Sequence, residues 1–132
     1  MASFTKFEEI GAWQKARLLC NSIHQIIVNT DLIKDYKLKD QINGSSGSIM
    51  DNIAEGFGRG GNAEFIQFLG ISHASASETQ SQLYRVVDRK YIRNELFTEL
   101  YNLAEEIKKM IVSLIKYLRS SEFKGPKFKT RA

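Results

Sequence analysis

The sequence has one proline, one cysteine and no apolar run long enough for a membrane span, which needs about 20 residues. Pro126 lies near the end, so nothing before it forbids long helices. A lone Cys20 excludes an internal disulfide and fits a reducing compartment. The opening "MASFTKFEEIGAW" has no apolar stretch following a basic one, so no secretion signal is expected and the expected location is cytoplasmic, with no membrane partner. No stretch of useful length alternates apolar and polar residues, which removes strands from the expectation.

What remains is ordinary in bulk: 132 residues, 42% hydrophobic and 26% charged, enough for one globular domain with one core. The net charge of +4 is unevenly placed. Residues 120–132 hold Lys124, Lys127, Lys129 and Arg131 against Glu122, leaving 15 basic and 14 acidic groups for the other 119 residues. The expected division is a nearly neutral body, 1–119, forming the bundle and a basic tail, 120–132, expected to be flexible.

Helical spacing recurs four times in the body. Residues 11–28 place Trp13, Ala16, Cys20, Ile23 and Ile27 on one side. Thr5 and Glu8 have the spacing of a capping box ahead of them. Residues 37–57 repeat Leu38, Ile42, Ser45, Ile49 and Ile53, and 62–88 repeat Phe65, Phe68, Ser72, Ala76, Thr79, Leu83 and Val86 after Asn62 as N-cap. Residues 94–118 carry a heptad seam of Leu96, Leu100, Leu103, Ile107, Met110, Leu114 and Tyr117. Short connections at 29–36, 58–61 and 89–93 make consecutive helices antiparallel neighbours, so the expected fold is all-α, an up-down-up-down four-helix bundle. Gly44 and Gly47 each cost up to ~1 kcal/mol inside a helix. Close approach of the second helix to the third is the expected offset.

The stretch "NIAEGFGRGGNAEF", 52–65, has Gly56, Gly58 and Gly61 in G-x-G-x-x-G spacing. A dinucleotide loop needs a strand before it, and "SIMDNIAEGF" reads as helix. The better reading is a helix end and reversal, with Gly56 or Gly58 left-handed and Asn52, Glu55 and Arg59 forming a polar network. Arg59 beside the next helix N-terminus leaves an anion or partner site open. His24 and His73 have no metal-site spacing with other ligands, and Glu55 and Glu78 lack the Glu-x-x-His motif of di-metal bundles. Ser72, Ser75 and Ser77 have no adjacent base. No catalytic, cofactor or metal residue is expected, and no enzyme activity. Arg85, Arg89, Lys90 and Arg93, opposed only by Asp88, form the best basic cluster of the body. In an up-down bundle they share an end with the 29–36 connection, while Arg59 and the tail lie at the other.

"AWQKA" at 12–16, "SIMDNIAEGFGRG" at 48–60, "EFIQFL" at 64–69 and "SASETQSQL" at 75–83 occur in order. Together they resemble the family encoded in intervening sequences of bacterial large-subunit ribosomal RNA genes, often labelled a ribosomal protein. The accessory variability determinant of diversity-generating retroelements looks like a relative. The resemblance covers residues 7–118 and implies a four-helix bundle assembling as a homopentamer, with no known enzyme activity. Trp13, Asn52, Glu55, Gly56, Arg59 and Glu78 occupy its motif positions. Where the family commonly has a basic pair this chain has Asn43 and Gly44, which removes charge from the second helix. Where it commonly has proline the chain has Met50, implying a straighter helix.

Two functions compete. One is an oligomeric protein that binds RNA or DNA through backbone contacts, using Arg59, Arg85, Arg89, Lys90, Arg93 and the tail cations, with Phe123 and Phe128 able to stack on bases. The other is a protein-interaction scaffold or accessory subunit that does not touch nucleic acid itself.

Overall fold

The computed structural model describes residues 4–121. Helix α1 spans Gly11–Asn29, α2 Tyr36–Gly58, α3 Asn62–Asp88 and α4 Asn94–Arg119. Short 3-10 turns precede α1 at Phe7–Glu9 and join α1 to α2 at Asp31–Lys34. No strand occurs among the described residues.

The helices close a ring of four, each packed on two neighbours. Along α2 and α3, Gln41 meets Arg85, Ser48 meets Ser75, and Gly56 meets Phe68. Partner numbers fall as α2 numbers rise, so the pair is antiparallel. The same holds for α3 and α4, where Tyr84 meets Phe97 and Asn62 meets Leu118, and for α1 and α4, where Gly11 faces Met110 and Lys15 pairs with Glu106.

The core takes Ala16, Leu19 and Ile23 from α1, and Leu38, Ile42, Ile49 and Ile53 from α2. From α3 and α4 it takes Phe65, Leu69, Ala76, Leu83, Leu100, Ala104, Ile107 and Ile111. Each large side chain among these contributes about 1.5–3 kcal/mol on burial. The α2 repeat is buried throughout, as its spacing predicts. The α4 seam is rotated. Ala104, Ile111 and Leu118 are fully buried, while Leu103, Met110 and Tyr117 flank the core half-exposed. In α1, Ala16, Ile23 and Ile27 of the expected side are buried, whereas Trp13 and Cys20 are only half-buried and Leu19 and Ile26 are buried beside them.

Other local expectations also change. Thr5 meets Glu9, not Glu8: its amide and hydroxyl donate to the two carboxylate oxygens at 2.7 and 3.0 Å. Gly61, not Asn62, is the N-cap of α3. The Asn62 amide instead donates to Leu118 O at 2.7 Å and Ser121 O at 3.1 Å, closing the last turn of α4. The left-handed residue of the α2–α3 turn is Gly60, with φ 90°; Gly56 and Gly58 remain helical. A β-carbon on Gly44 or Gly47 would meet nothing within 4 Å, so neither marks the helix contact. Gly56 marks it instead.

Between α2 and α3 the small residues form a polar seam. The Ser45 hydroxyl donates to Gln82 Oε1 and lies 2.8 Å from the Thr79 hydroxyl. Ser72 donates to Ile49 O at 2.8 Å. These bonds satisfy groups that would be costly to bury alone.

Candidate nucleic-acid interface

The basic cluster near the end of α3 is assembled across the α2–α3 pair. Asp35, the N-cap of α2, accepts from Leu38 N at 3.4 Å, from the Tyr91 hydroxyl at 2.9 Å and from Arg89 Nη1 at 2.6 Å. Hydrogen bonds from Tyr91 and Arg89 hold the Asp35 carboxyl below its ordinary range, and the same bond to Asp35 raises the Tyr91 hydroxyl. One turn along, Arg85 donates to Gln41 Oε1 at 3.1 Å. Two segments about 50 residues apart thereby share one end of the bundle, in line with the expected placement beside the 29–36 connection.

The fold adds cations that the α3 cluster alone does not suggest. Lys34 lies in the 3-10 turn, and Lys37 and Lys39 in the first turn of α2. Lys37 precedes Gln41 by one turn and so shares its face toward α3. Segments 31–41 and 85–93 carry seven basic side chains against the carboxylates of Asp31, Asp35, Asp40 and Asp88. Two of the four acids are already engaged, Asp31 with Lys34 at 3.9 Å and Asp35 with Arg89. Tyr36 is 70% exposed, with the Lys39 ammonium 5.1 Å from its ring centroid. Lys90 holds the turn into α4 at φ 62°, a left-handed conformation uncommon for a side chain other than glycine. The sequence places the 29–36 connection at this end, but that Lys34, Tyr36, Lys37 and Lys39 lie beside the α3 cations rests on the tertiary contacts Asp35–Arg89 and Gln41–Arg85.

The cluster is also split. Arg93 lines a groove between the end of α1 and the start of α4, on a different side from the Arg85–Gln41 contact.

The remaining singled-out residues do not converge on one center. Arg59 pairs with Glu55 at 3.1 Å and its guanidinium lies 5.0 Å from the Phe68 ring centroid. Asn52 does not join that pair; it donates to Ser48 O and Ser48 Oγ, both at 2.9 Å, extending the polar seam. Glu78 accepts from Gln82 at 3.4 Å and, like Glu55, is exposed, so the two carboxylates face solvent separately. Gly56 is buried against α3, which leaves no room for a side chain there. Trp13 is half-buried, its ring edge-on to Phe7 at 5.1 Å with Arg17 5.9 Å from its centroid. No group of three or more His, Cys, Asp or Glu residues placed to hold a metal occurs among the described residues. No helix there is long and apolar enough to cross a membrane. Lys124, Lys127, Lys129 and Arg131 lie outside the described residues.

These features define an all-α four-helix bundle with a cluster of charged side chains at the end where α2 begins and α3 ends. The chain belongs to the 23S rRNA-intervening sequence protein family, whose model matches residues 8–113. It is similar to a crystallised protein of unknown function from the S23 ribosomal protein family of Bacteroides thetaiotaomicron VPI-5482. That likeness has 30% sequence identity and a TM-score of 0.72, and covers 80% of this chain and 98% of the other. No curated protein matches.

Proposed function

We propose that this chain is a non-enzymatic, oligomeric, cytoplasmic protein that holds RNA or DNA by its sugar–phosphate backbone, at the end of the bundle where α2 begins and α3 ends. The observation that supports the reading is the pair of contacts Asp35–Arg89 and Gln41–Arg85, which brings the segment of Lys34, Lys37, Lys39 and exposed Tyr36 to the segment of Arg85, Arg89 and Lys90. Lysine and arginine contacts to phosphate are sequence-blind, and an exposed ring can stack on any base. A single chain offers few such contacts. The homopentamer implied by the family resemblance repeats them around an axis, and effective concentration then raises overall affinity.

The test is binding of the intact protein to labelled single-stranded and duplex RNA and DNA across a salt series. Binding indifferent to sequence, with log affinity falling linearly against log salt, is expected. Light scattering is expected near five times 15.1 kDa. No binding at low salt overturns the nucleic-acid reading.

The scaffold reading then takes its place, and one observation favours it. Tyr84, Phe97 and Tyr101 form a cluster with ring centroids 4.8–5.8 Å apart, and Tyr84 is 51% exposed. Aromatic rings are enriched in the buried centers of protein interfaces.

A further inference from the structure

The seam between α1 and α4 opens near the α3–α4 turn into a groove of about 460 Å³. Its floor is apolar: Ile26 and Ile92 are almost fully buried and Leu96 half-buried. Several of its neutral polar groups already hold hydrogen bonds. Asn29 donates to Gln25 at 3.1 Å, and Thr30 donates to Ile26 O at 2.7 Å. Tyr91, on one wall, gives its hydroxyl to Asp35. Among the described residues, Arg93 is the one charged side chain in the lining and no carboxylate lines the groove. Arg89, four residues earlier, is tied to Asp35, whereas no carboxylate lies within ion-pair distance of Arg93 among the described residues.

A concave site of a few hundred cubic ångströms, apolar with one polar anchor, is the usual form of a small-molecule pocket. A cation beside an apolar floor selects against cations and against ligands with no charge to satisfy it. One cation is too few for a polyphosphate. We infer that this groove binds a small amphiphile, an apolar body carrying a single anionic head, with the body on Ile26, Ile92 and Leu96 and the head on Arg93. The inference does not rest on the nucleic-acid reading, which uses the α2–α3 side of the same end.

The probe is 8-anilinonaphthalene-1-sulfonate, an aromatic body with one sulfonate, titrated by fluorescence into the intact protein, with decanoate and decyltrimethylammonium as competitors. The expected result is saturable binding at one probe per chain, displaced by decanoate and not by decyltrimethylammonium. Arg93→Gln should weaken probe and decanoate by about tenfold or more, the loss typical of a hydrogen bond to a charged group. Arg93→Lys should restore part of that loss. Ser22→Trp, which fills the groove from its rim, should abolish binding while circular dichroism and mass by light scattering stay unchanged. Absence of saturable binding overturns the inference. So does equal binding by wild type, Arg93→Gln and Ser22→Trp, or equal displacement by the two competitors.

Discussion

Gly56 on α2 lies so close to α3 that a β-carbon placed on it would fall 2.5 Å from Cβ of Phe68. That atom is fixed to the α3 backbone and cannot rotate away. Gly56→Ala must therefore push the two helices apart, at a cost typical of overpacking, about 1–3 kcal/mol. The glycines at 44 and 47 behave oppositely, because a methyl group on either meets open space. Gly47→Ala should stabilise by up to about 1 kcal/mol through the alanine's better helix propensity. Thermal melts of both variants check this. Equal shifts of the same sign would remove the assignment of the close contact to Gly56.

The polar seam should be costly to break from one side. Ser45→Ala leaves buried Gln82 Oε1 without the Ser45 hydroxyl and removes one of the two partners of the Thr79 hydroxyl, which keeps its bond to Ser75 O. A loss of about 1–3 kcal/mol is expected. Adding Gln82→Leu to Ser45→Ala removes the orphaned oxygen as well, so the pair should lose less than the two single losses added together. A double-mutant cycle by urea denaturation measures the difference, and strict additivity would show that the two groups are not coupled.

The four helices were legible because apolar spacing reports which side of a helix is buried, and the short connections force antiparallel neighbours. Orientation finer than a face was not. In α4, the columns Leu103–Met110–Tyr117 and Ala104–Ile111–Leu118 are adjacent, and the apolar stripe of a globular bundle covers both. Heptad counting chose the larger side chains, whereas the ring of helices centers Ala104. The glycine cost at 44 and 47 was visible too, but helix sequence alone does not say what lies above a missing β-carbon. The basic cluster was half legible. Arg85, Arg89, Lys90 and Arg93 are neighbours in the chain, but their junction with Lys37 depends on the Asp35–Arg89 and Gln41–Arg85 contacts, which are tertiary.

Asp35 should make stability sensitive to acid. Its carboxyl is held below the ordinary value of 3.8 by the Tyr91 hydroxyl and by Arg89. A depressed carboxyl stabilises the fold at pH above its unfolded value, and that contribution is lost as pH falls through the folded value. Asp35→Asn should therefore be less stable than wild type at neutral pH, with the gap closing below pH 3.8. Denaturation midpoints measured from neutral pH downward check it; a gap that stays constant would assign the loss to packing rather than to charge.

The last prediction separates the two basic regions of the chain. Each phosphate neutralised on duplex DNA releases about 0.9 counterion, so the slope of log affinity against log salt counts contacts. One variant ends after Ser121 and lacks Lys124, Lys127, Lys129 and Arg131, while keeping Leu118 O and Ser121 O for Asn62. The other replaces Lys34, Lys37, Arg85 and Lys90 by glutamine and leaves the Asp35–Arg89 bond in place. If the bundle end holds the phosphates, the glutamine variant should flatten the slope and the truncation should leave it unchanged. If the tail holds them, the pattern reverses, and the assignment of the site to the α2–α3 end is wrong. The variant Tyr36→Ala adds a second reading at the same end. Loss of a stacking ring should weaken single-stranded binding by about 1–3 kcal/mol without changing the salt slope, because a ring neutralises no phosphate.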